Sequence, residues 1–255
     1  MNYFFIKPVK GIVYLGKDIG DRWTAPPAVP TDYIWWDTNV GVFSDAAGTI
    51  PATTGQKVLC WKAQDAPNSS WDFIQPDPLL APALVEDAQG KKRISFMTNN
   101  VFMRSTGSWS AFQDVTMAMR IRTEPGTTGG IWGRHNGVGG NRRFGLVGTS
   151  TGITWEVQQG SSAHIPGIIN DGNKHSLIVN APSGSSDTTV VGYRNLDGSG
   201  VNFNVVRGNS VAVTTFDLGQ TSTAGANFAV YRMAMKPGIA FGPEEGQLMN
   251  WLNFI

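Results

Sequence analysis

The alternation of apolar and polar residues in two stretches constrains the fold of this chain more than any other feature. In residues 115–122 every second residue is apolar, and these residues are Val115, Met117, Met119 and Ile121. Residues 228–235, near the end of the chain, repeat the pattern. Successive side chains of a strand point to opposite faces, so a period of two indicates a strand with one buried face. Both stretches are therefore predicted to be strands of a sheet that covers a core.

Short strands between turn signals account for most of the remaining sequence. The further predicted strands are residues 33–36, 57–62, 93–96, 130–134, 143–147, 153–158, 176–180 and 188–193. The one clear helix signal lies at residues 242–252, where Pro243 is followed by Glu244 and Glu245, a sequence that favours a helix start. This spacing predicts an all-β protein of two antiparallel sheets, with roughly ten to fourteen strands and a short C-terminal helix.

The first 32 residues differ from the rest of the chain. Residues 25–30 read Ala-Pro-Pro-Ala-Val-Pro, and proline fixes φ and disfavours helix in the residue before it. We therefore expect residues 1–32 to form an N-terminal arm and linker, and residues 33–255 to form one domain. The alternative is that the arm contributes a first strand that packs on the same domain.

Charge and cysteine content exclude several classes of partner and bond. Twenty Lys and Arg residues face nineteen Asp and Glu residues, a formal net charge of +1. This balance gives no electrostatic reason to expect a nucleic acid or a membrane as partner. The single cysteine, Cys60, permits no intrachain disulfide. The apolar start of the chain ends at Lys7, before the roughly 7–15 apolar residues of a secretory signal, so we expect synthesis in a cytoplasm.

Several short motifs occur in the order found in one known family. Trp36-Asp37 is followed by residues 42–51, which contain an aspartate, a small residue, glycine, threonine and proline. Similar marks follow in residues 55–62, 73–75, 82–96 and 171–177, and residues 229–252 supply a closing strand and a helix. This order resembles the concanavalin A-like lectin/glucanase jelly roll, in its LamG-like branch. The resemblance implies two antiparallel sheets packed face to face, one of them concave.

Catalytic chemistry has little support in the sequence. Glycosidases of the similar family carry paired carboxylates two residues apart on one strand, and a retaining pair needs its carboxyl groups about 5–5.5 Å apart. No such pair is present, and Glu156 stands alone. The histidines, His135, His164 and His175, share no strand with a plausible partner. The sequence thus predicts no catalytic residue, no metal, no cofactor and no enzyme activity.

One loop has the composition of a ligand site. Residues 132–143 combine an aromatic ring with basic and amide groups, and the candidate ligand-binding residues are Trp132, Arg134, His135, Asn136 and Arg143. Such groups are typical of glycan binding. The alternative interpretation is that Trp132 fills the core and Arg143 lies at a solvated strand entry.

The resemblance implies a role in attachment. We expect a non-enzymatic structural protein of a viral particle, a bacteriophage head decoration or a tail or fibre component, with other virion proteins and further copies of itself as partners. Low charge and a proline-rich arm suit such a subunit, since an extended arm can add a strand to a neighbour's sheet. Two alternatives stay open: a carbohydrate-binding module that recognises a surface glycan, and a polysaccharide-cleaving enzyme with an unrecognised site.

Overall fold

The computed structural model describes residues 27–97, 101–107, 115–135, 142–149, 152–157, 161–165, 172–181, 188–194, 200–206, 215–219, 227–238, 240 and 242–254. Within these ranges the chain forms seventeen strands, a 3₁₀ turn at Ser69–Trp71 and one α-helix, α1 (Pro243–Asn253). The strands are, in chain order, β1 (Ile34–Asp37), β2 (Val42–Phe43), β3 (Cys60–Trp61), β4 (Phe73–Ile74), β5 (Ala83–Glu86), β6 (Lys92–Phe96), β7 (Met103–Ser105), β8 (Val115–Thr123), β9 (Gly129–His135), β10 (Arg142–Thr149), β11 (Gly152–Val157), β12 (Ser161–Ile165), β13 (Lys174–Ala181), β14 (Thr188–Arg194), β15 (Gly200–Val206), β16 (Thr215–Leu218) and β17 (Phe228–Pro237).

The strands form two antiparallel sheets. Sheet A has the order β15-β14-β13-β8-β17-β6-β5, and β1 also pairs with β17. Sheet B has the order β12-β11-β10-β9-β16-β7-β4-β3-β2. Strands that are distant in the chain often pair in the sheets, as where β17 lies between β8 and β6. The predicted all-β sandwich of two antiparallel sheets with one C-terminal helix is confirmed, with more strands than predicted.

The core between the sheets is built from the alternating residues that the sequence analysis singled out. Met117 and Met119 of β8 and Met233 and Met235 of β17 are fully buried in it. Sheet B contributes aromatic rings, among them Trp132, whose ring centroid lies 5.8 Å from that of Phe216. Large rings bury much apolar area, and their packing accounts for a sizeable part of the stability of such a core.

The outer face of sheet A is covered by the helix. Leu248, Trp251 and Leu252 of α1 pack on Ala118 and Ile178, and all five side chains are buried. The outer face of β8 is therefore not fully exposed to solvent, because the helix covers part of it. Val29 packs against the same cluster, whereas most of the predicted arm, residues 1–26, lies outside the described residues.

The helix begins as its sequence predicts. Pro243 occupies the first turn, and Glu244 and Glu245 follow it. Glu245 also accepts a hydrogen bond from Asn180 of β13 at 3.1 Å, which attaches this end of the helix to the sheet. In the described part of the chain, no helix is both long enough and apolar enough to cross a membrane.

Candidate functional site

The outer face of sheet B carries an exposed arginine held by a buried aspartate. Phe216 and Leu218 of β16 are in the core, so Asp217 between them faces outward. Arg104 of β7 is its Cα partner on the neighbouring strand. Nε and Nη2 of Arg104 donate to Oδ1 and Oδ2 of Asp217 at 2.6 and 2.7 Å. The two side chains form a planar fork, a geometry that is both strong and directional.

The two partners of this ion pair differ strongly in exposure. The Arg104 side chain is 50% exposed, and that of Asp217 is 3% exposed. The hydrogen bonds that Arg104 donates to Asp217 raise the pKa of the Arg104 guanidinium above its ordinary value. Because the fork uses Nε and Nη2, the Nη1 group of Arg104 remains available as a donor to a ligand. The buried carboxylate thus orients a cation whose outer edge faces solvent.

Two apolar side chains lie beside this arginine, and a third lies in a turn that is hydrogen-bonded to the backbone of one of these residues. Ile74 of β4 is the Cα partner of Arg104 and is 37% exposed. The ring centroid of Phe102 lies 5.7 Å from Cζ of Arg104. Leu79, which is 84% exposed, lies in a turn whose next residue, Leu80, accepts a hydrogen bond from the Phe102 backbone N–H. Exposed apolar groups around an oriented polar group are typical of a recognition surface.

A buried amide fixes the shape of this surface. Gln75 is 3% exposed, and its Nε2 donates to the backbone carbonyl of Phe102 at 3.1 Å. Its Oε1 accepts from the backbone N–H of Asp77, the residue that begins the turn carrying Leu79. The turn, the Phe102 backbone and strand β4 are therefore connected through one side chain. We call the surface formed by Ile74, Leu79, Phe102, Arg104 and Asp217 the Arg104 surface.

Of the predicted ligand-binding residues, Trp132 is the one whose side chain the structure describes. Trp132 is completely buried in the core, so its ring is not available to stack on a ligand. Arg134 and His135 end strand β9, and Arg143 lies in β10, but their side chains are outside the described structure. Asn136 lies outside the described residues. A role of the 132–143 loop in ligand binding stays a prediction.

The sequence analysis missed the Arg104 surface. Asp217 lies in a strand of only four residues, Thr-Phe-Asp-Leu, in which the polar residue alternates with apolar ones. That alternation was a usable signal for the outward position of Asp217. Its partner is 113 residues earlier in the chain, and no local pattern indicates a pair of such separation.

A depression lies on the opposite side of the molecule, between residues 27–31 and helix α1. Its volume is about 540 Å³, and Thr31, Glu244, Gln247 and Asn250 supply its polar lining. The described residues that line it include no aromatic ring and no guanidinium. In the described ranges no group of three or more His, Cys, Asp or Glu residues is arranged to hold a metal ion. The Arg104 surface therefore has the better chemistry for binding a polar ligand with an apolar side.

Comparison with known proteins finds this fold in solved structures of low sequence identity. No protein-family model matches the sequence, and no curated protein matches it. A solved arabinofuranosidase complexed with arabinofuranosyl-α-1,2-xylobiose is 12% identical with a TM-score of 0.56, and a GH54 α-L-arabinofuranosidase soaked with a cyclic sulfate inhibitor is 15% identical with a TM-score of 0.57. Each similarity covers 77% of this chain and 50% of the other. Trypanosoma rangeli sialidase in complex with sialic acid is 13% identical with a TM-score of 0.51, over 89% of this chain and 34% of the sialidase.

These likenesses show the fold alone, a two-sheet β-sandwich. The chain spans half the length of the two arabinofuranosidases and about a third of that of the sialidase. The prediction that this chain is not an enzyme is contradicted by these neighbours, which are glycosidases. That prediction depended on the lack of two carboxylates close together on one strand. Carboxylates brought together from different strands leave no such motif, just as Arg104 and Asp217 left none.

Proposed function

We propose that this chain is a glycan-binding β-sandwich domain and that the Arg104 surface is its binding face. One observation carries the proposal: the half-exposed Arg104 is held by the buried Asp217 beside the exposed side chain of Ile74 and the ring of Phe102. A sugar ring combines hydroxyl groups at its edge with apolar C–H groups on its faces. Arg104 can donate to the hydroxyl groups, and the apolar side chains beside it can pack on the C–H groups.

The ion pair supplies oriented polar groups for sugar hydroxyls. Nη1 of Arg104 can donate to a hydroxyl or ring oxygen, because the other two guanidinium nitrogens are bound to Asp217. The fork already holds the guanidinium in one orientation, so less side-chain entropy is lost when a ligand binds. Phe102 and Ile74 lie beside this donor, where the apolar side of a sugar ring can pack on them.

The fold likeness supports the ligand class. The neighbours with a TM-score above 0.5 described above are proteins whose bound compounds include a xylobiose-based arabinoside and sialic acid. Those ligands belong to those proteins, and they make a glycan the first class of compound to test on this one.

The test is calorimetric titration of the full chain with a panel of plant, bacterial and animal glycans. Arg104→Ala removes the donor, and we expect the affinity for a bound glycan to fall at least about tenfold, the range for a lost charge-assisted hydrogen bond. Lys91→Ala is the matched control, because Lys91 is a cation in the turn between β5 and β6 of sheet A, the other sheet from this surface. Equal affinity of the wild type and Arg104→Ala for every bound glycan would contradict the proposal, as would a panel in which nothing binds.

The same samples separate binding from cleavage. Reducing ends are measured after long incubation of each bound glycan with the wild type and with Asp217→Asn. Release that disappears in Asp217→Asn assigns a catalytic role to this surface, whereas binding without release assigns recognition alone.

The setting on a viral particle remains a prediction from the LamG-like resemblance in the sequence. Its test is the detection of the chain in purified particles with a specific antibody. A variant lacking residues 1–30 is expected to bind particles less than the full chain does, if the arm mediates attachment. Full-strength binding of the truncated chain would exclude that role of the arm.

A further inference from the structure

A row of cations crosses the outer face of sheet A beyond the end of helix α1. The row consists of Arg93 on β6, Arg232 on β17, Arg120 and Arg122 on β8, and Lys174 on β13. Register brings them together, since Arg232 and Arg120 are Cα partners, as are Arg122 and Lys174. Adjacent strands lie about 4.8 Å apart, so these side chains occupy one continuous patch. We call it the basic row.

Three carboxylates in the described residues neutralise part of the basic row. Asp37 pairs with Arg232 at 2.7 Å, and Glu124 pairs with Arg122 at 3.1 Å. Asp87, in the turn after β5, reaches across the face to Lys174 at 2.6 Å.

The other two cations of the row have no carboxylate partner in the described part of the chain. Nη1 of Arg120 donates to two neutral acceptors, Ser176 Oγ at 2.9 Å and Asn253 Oδ1 at 2.7 Å. Nε and Nη1 of Arg93 have no hydrogen-bond partner. The row therefore carries two more positive than negative groups.

The unpaired atoms of the row are buried donors. Nε of Arg93, Arg120 and Arg122 is inaccessible to solvent and makes no hydrogen bond, and so is Nη1 of Arg93. A buried donor without a partner costs free energy comparable to a lost hydrogen bond, and more when the donor is charged. Several such donors in one patch therefore indicate that an acceptor belongs there.

A buried tyrosine points to the same place. Tyr231 follows Val230 at a bulge of β17, and Val230 is the Cα partner of Ile94, the neighbour of Arg93. Tyr231 is 1% exposed, and its hydroxyl has no hydrogen-bond partner. The ammonium of Lys174 lies 5.2 Å from the centroid of its ring. A hydroxyl and several guanidinium N–H groups that lack acceptors match a ligand that only accepts hydrogen bonds.

Several side chains of the row are partly exposed. The side chains of Arg122 and Lys174 are 30% and 27% exposed, and Arg93 is half-buried. Burial lowers the pKa of the Arg120 guanidinium below its ordinary value, and a bound anion would counter this by stabilising the charged form.

We propose that the basic row binds an oxyanion group, a carboxylate, sulfate or phosphate, between Arg93 and Arg120 and above the hydroxyl of Tyr231. The anion oxygens accept from the guanidinium N–H groups and from the Tyr231 hydroxyl. The site lies on the opposite face of the sandwich from the Arg104 surface, so it does not depend on the proposed glycan-binding function. It gives the domain a second contact suited to an acidic ligand.

The test is a titration of the full chain with sodium sulfate, phosphate and glucuronate at constant ionic strength, followed by amide NMR shifts and calorimetry. We expect saturable binding with shifts confined to β6, β8, β13 and β17. Arg93→Gln should weaken binding by about tenfold or more, the range for a lost hydrogen bond between charged groups. Lys57→Gln removes the same charge from an exposed site elsewhere and should bind like the wild type.

Tyr231→Phe keeps the experiment informative if the arginine variants fold poorly. It removes only a hydroxyl that has no partner, so the unliganded variant should be at least as stable as the wild type, while binding the anion several-fold more weakly. Saturation by all three anions indicates a general oxyanion site, and saturation by glucuronate alone indicates an acidic sugar. Shifts that grow linearly with salt, equally in the wild type, Arg93→Gln and Tyr231→Phe, would overturn the proposal.

Discussion

The two outer faces of the sandwich each hold an arginine–aspartate pair, but the pairs differ in burial. On sheet A, Arg232 and Asp37 are 7% and 8% exposed, and on sheet B, Arg104 and Asp217 are 50% and 3% exposed. The cause is the helix: Arg232 donates to the backbone carbonyl of Trp251 and lies 5.2 Å from the ring of that residue. The same pair of residue types thus forms a buried ion pair that attaches the helix on one face and an oriented surface group on the other.

This difference separates stability from recognition. A charge buried on every side depends on its partner, because removal of one member leaves the other unsolvated and unpaired. A cation that keeps one edge in water loses less from truncation, and that edge can contact a ligand. Variants of the two faces should therefore affect different measurements.

The largest effect is expected at Arg232. Arg232→Met removes the partner of the buried Asp37 and the bond to the Trp251 carbonyl, and we expect a loss of about 3–5 kcal/mol in the free energy of unfolding. Urea denaturation followed by tryptophan fluorescence measures it. The double variant Arg232→Met, Asp37→Leu should recover much of the loss, since no charge is then left buried. A loss below about 1 kcal/mol in the single variant would contradict a stabilising buried ion pair at this position.

A smaller loss is expected from the helix contact itself. Leu248 is completely buried between α1 and sheet A. Leu248→Ala should cost about 2–5 kcal/mol and should speed hydrogen exchange at Ile178 of β13, which the helix covers. Met249→Ala is the control, because Met249 is only half-buried and its truncation should cost less. Equal losses in the two variants would mean that the helix does not pack as described.

The same contrast explains which parts of the molecule the sequence predicts. Strand β8 is long and alternates strictly, because one of its faces contacts the core along its whole length. Strand β17 is as long, but its bulge after Val230 shifts the alternation by one residue, so that Met233 and Met235 face the core. Strands β2, β3 and β4 have two residues each, too few for a period of two to appear. The predicted 57–62 strand is accordingly reduced to Cys60–Trp61.

The candidate sites were harder to predict than the strands. Trp132 has the composition of a ligand contact, but its position opposite Leu218 in the register places it in the core. Arg104 and Asp217 meet only through the pairing of β7 with β16. Pairing between strands distant in sequence is a property of the topology, and residue types alone do not reveal it.

At Arg104, stability and binding should separate. Arg104→Ala leaves Asp217 without its fork, yet the site adjoins solvent, so we expect a loss of only about 1–2 kcal/mol in unfolding free energy. Denaturation under the conditions used for Arg232→Met allows direct comparison. Arg104→Lys should retain most of the stability but not the glycan affinity, because an ammonium cannot form the planar fork. A loss of unfolding free energy at Arg104 as large as that at Arg232 would show that the sheet B pair also serves mainly to stabilise the fold.

The smallest effect is expected in alkaline solution, where a buried weak acid on each face, Cys60 or Tyr33, has a raised pKa. Burial raises the pKa of the Cys60 thiol in β3 to about 11, and burial together with the charge of Glu244 raises the pKa of the Tyr33 hydroxyl under the helix. In the unfolded chain these groups ionise near pH 8.5 and 10. Above those values the unfolded state binds fewer protons than the folded state, so stability falls as pH rises.

Two variants show how much of the stability lost at alkaline pH comes from each face of the sandwich. Cys60→Ala should flatten the fall in denaturation midpoint between about pH 8.5 and 10, and Tyr33→Phe should flatten it above about pH 10. The slopes matter rather than the absolute midpoints, because truncation of a buried side chain lowers stability at every pH. Curves parallel to that of the wild type would show that neither group resists ionisation in the folded state. A flattened curve in only one variant would show that burial raises the pKa of the group on that face alone.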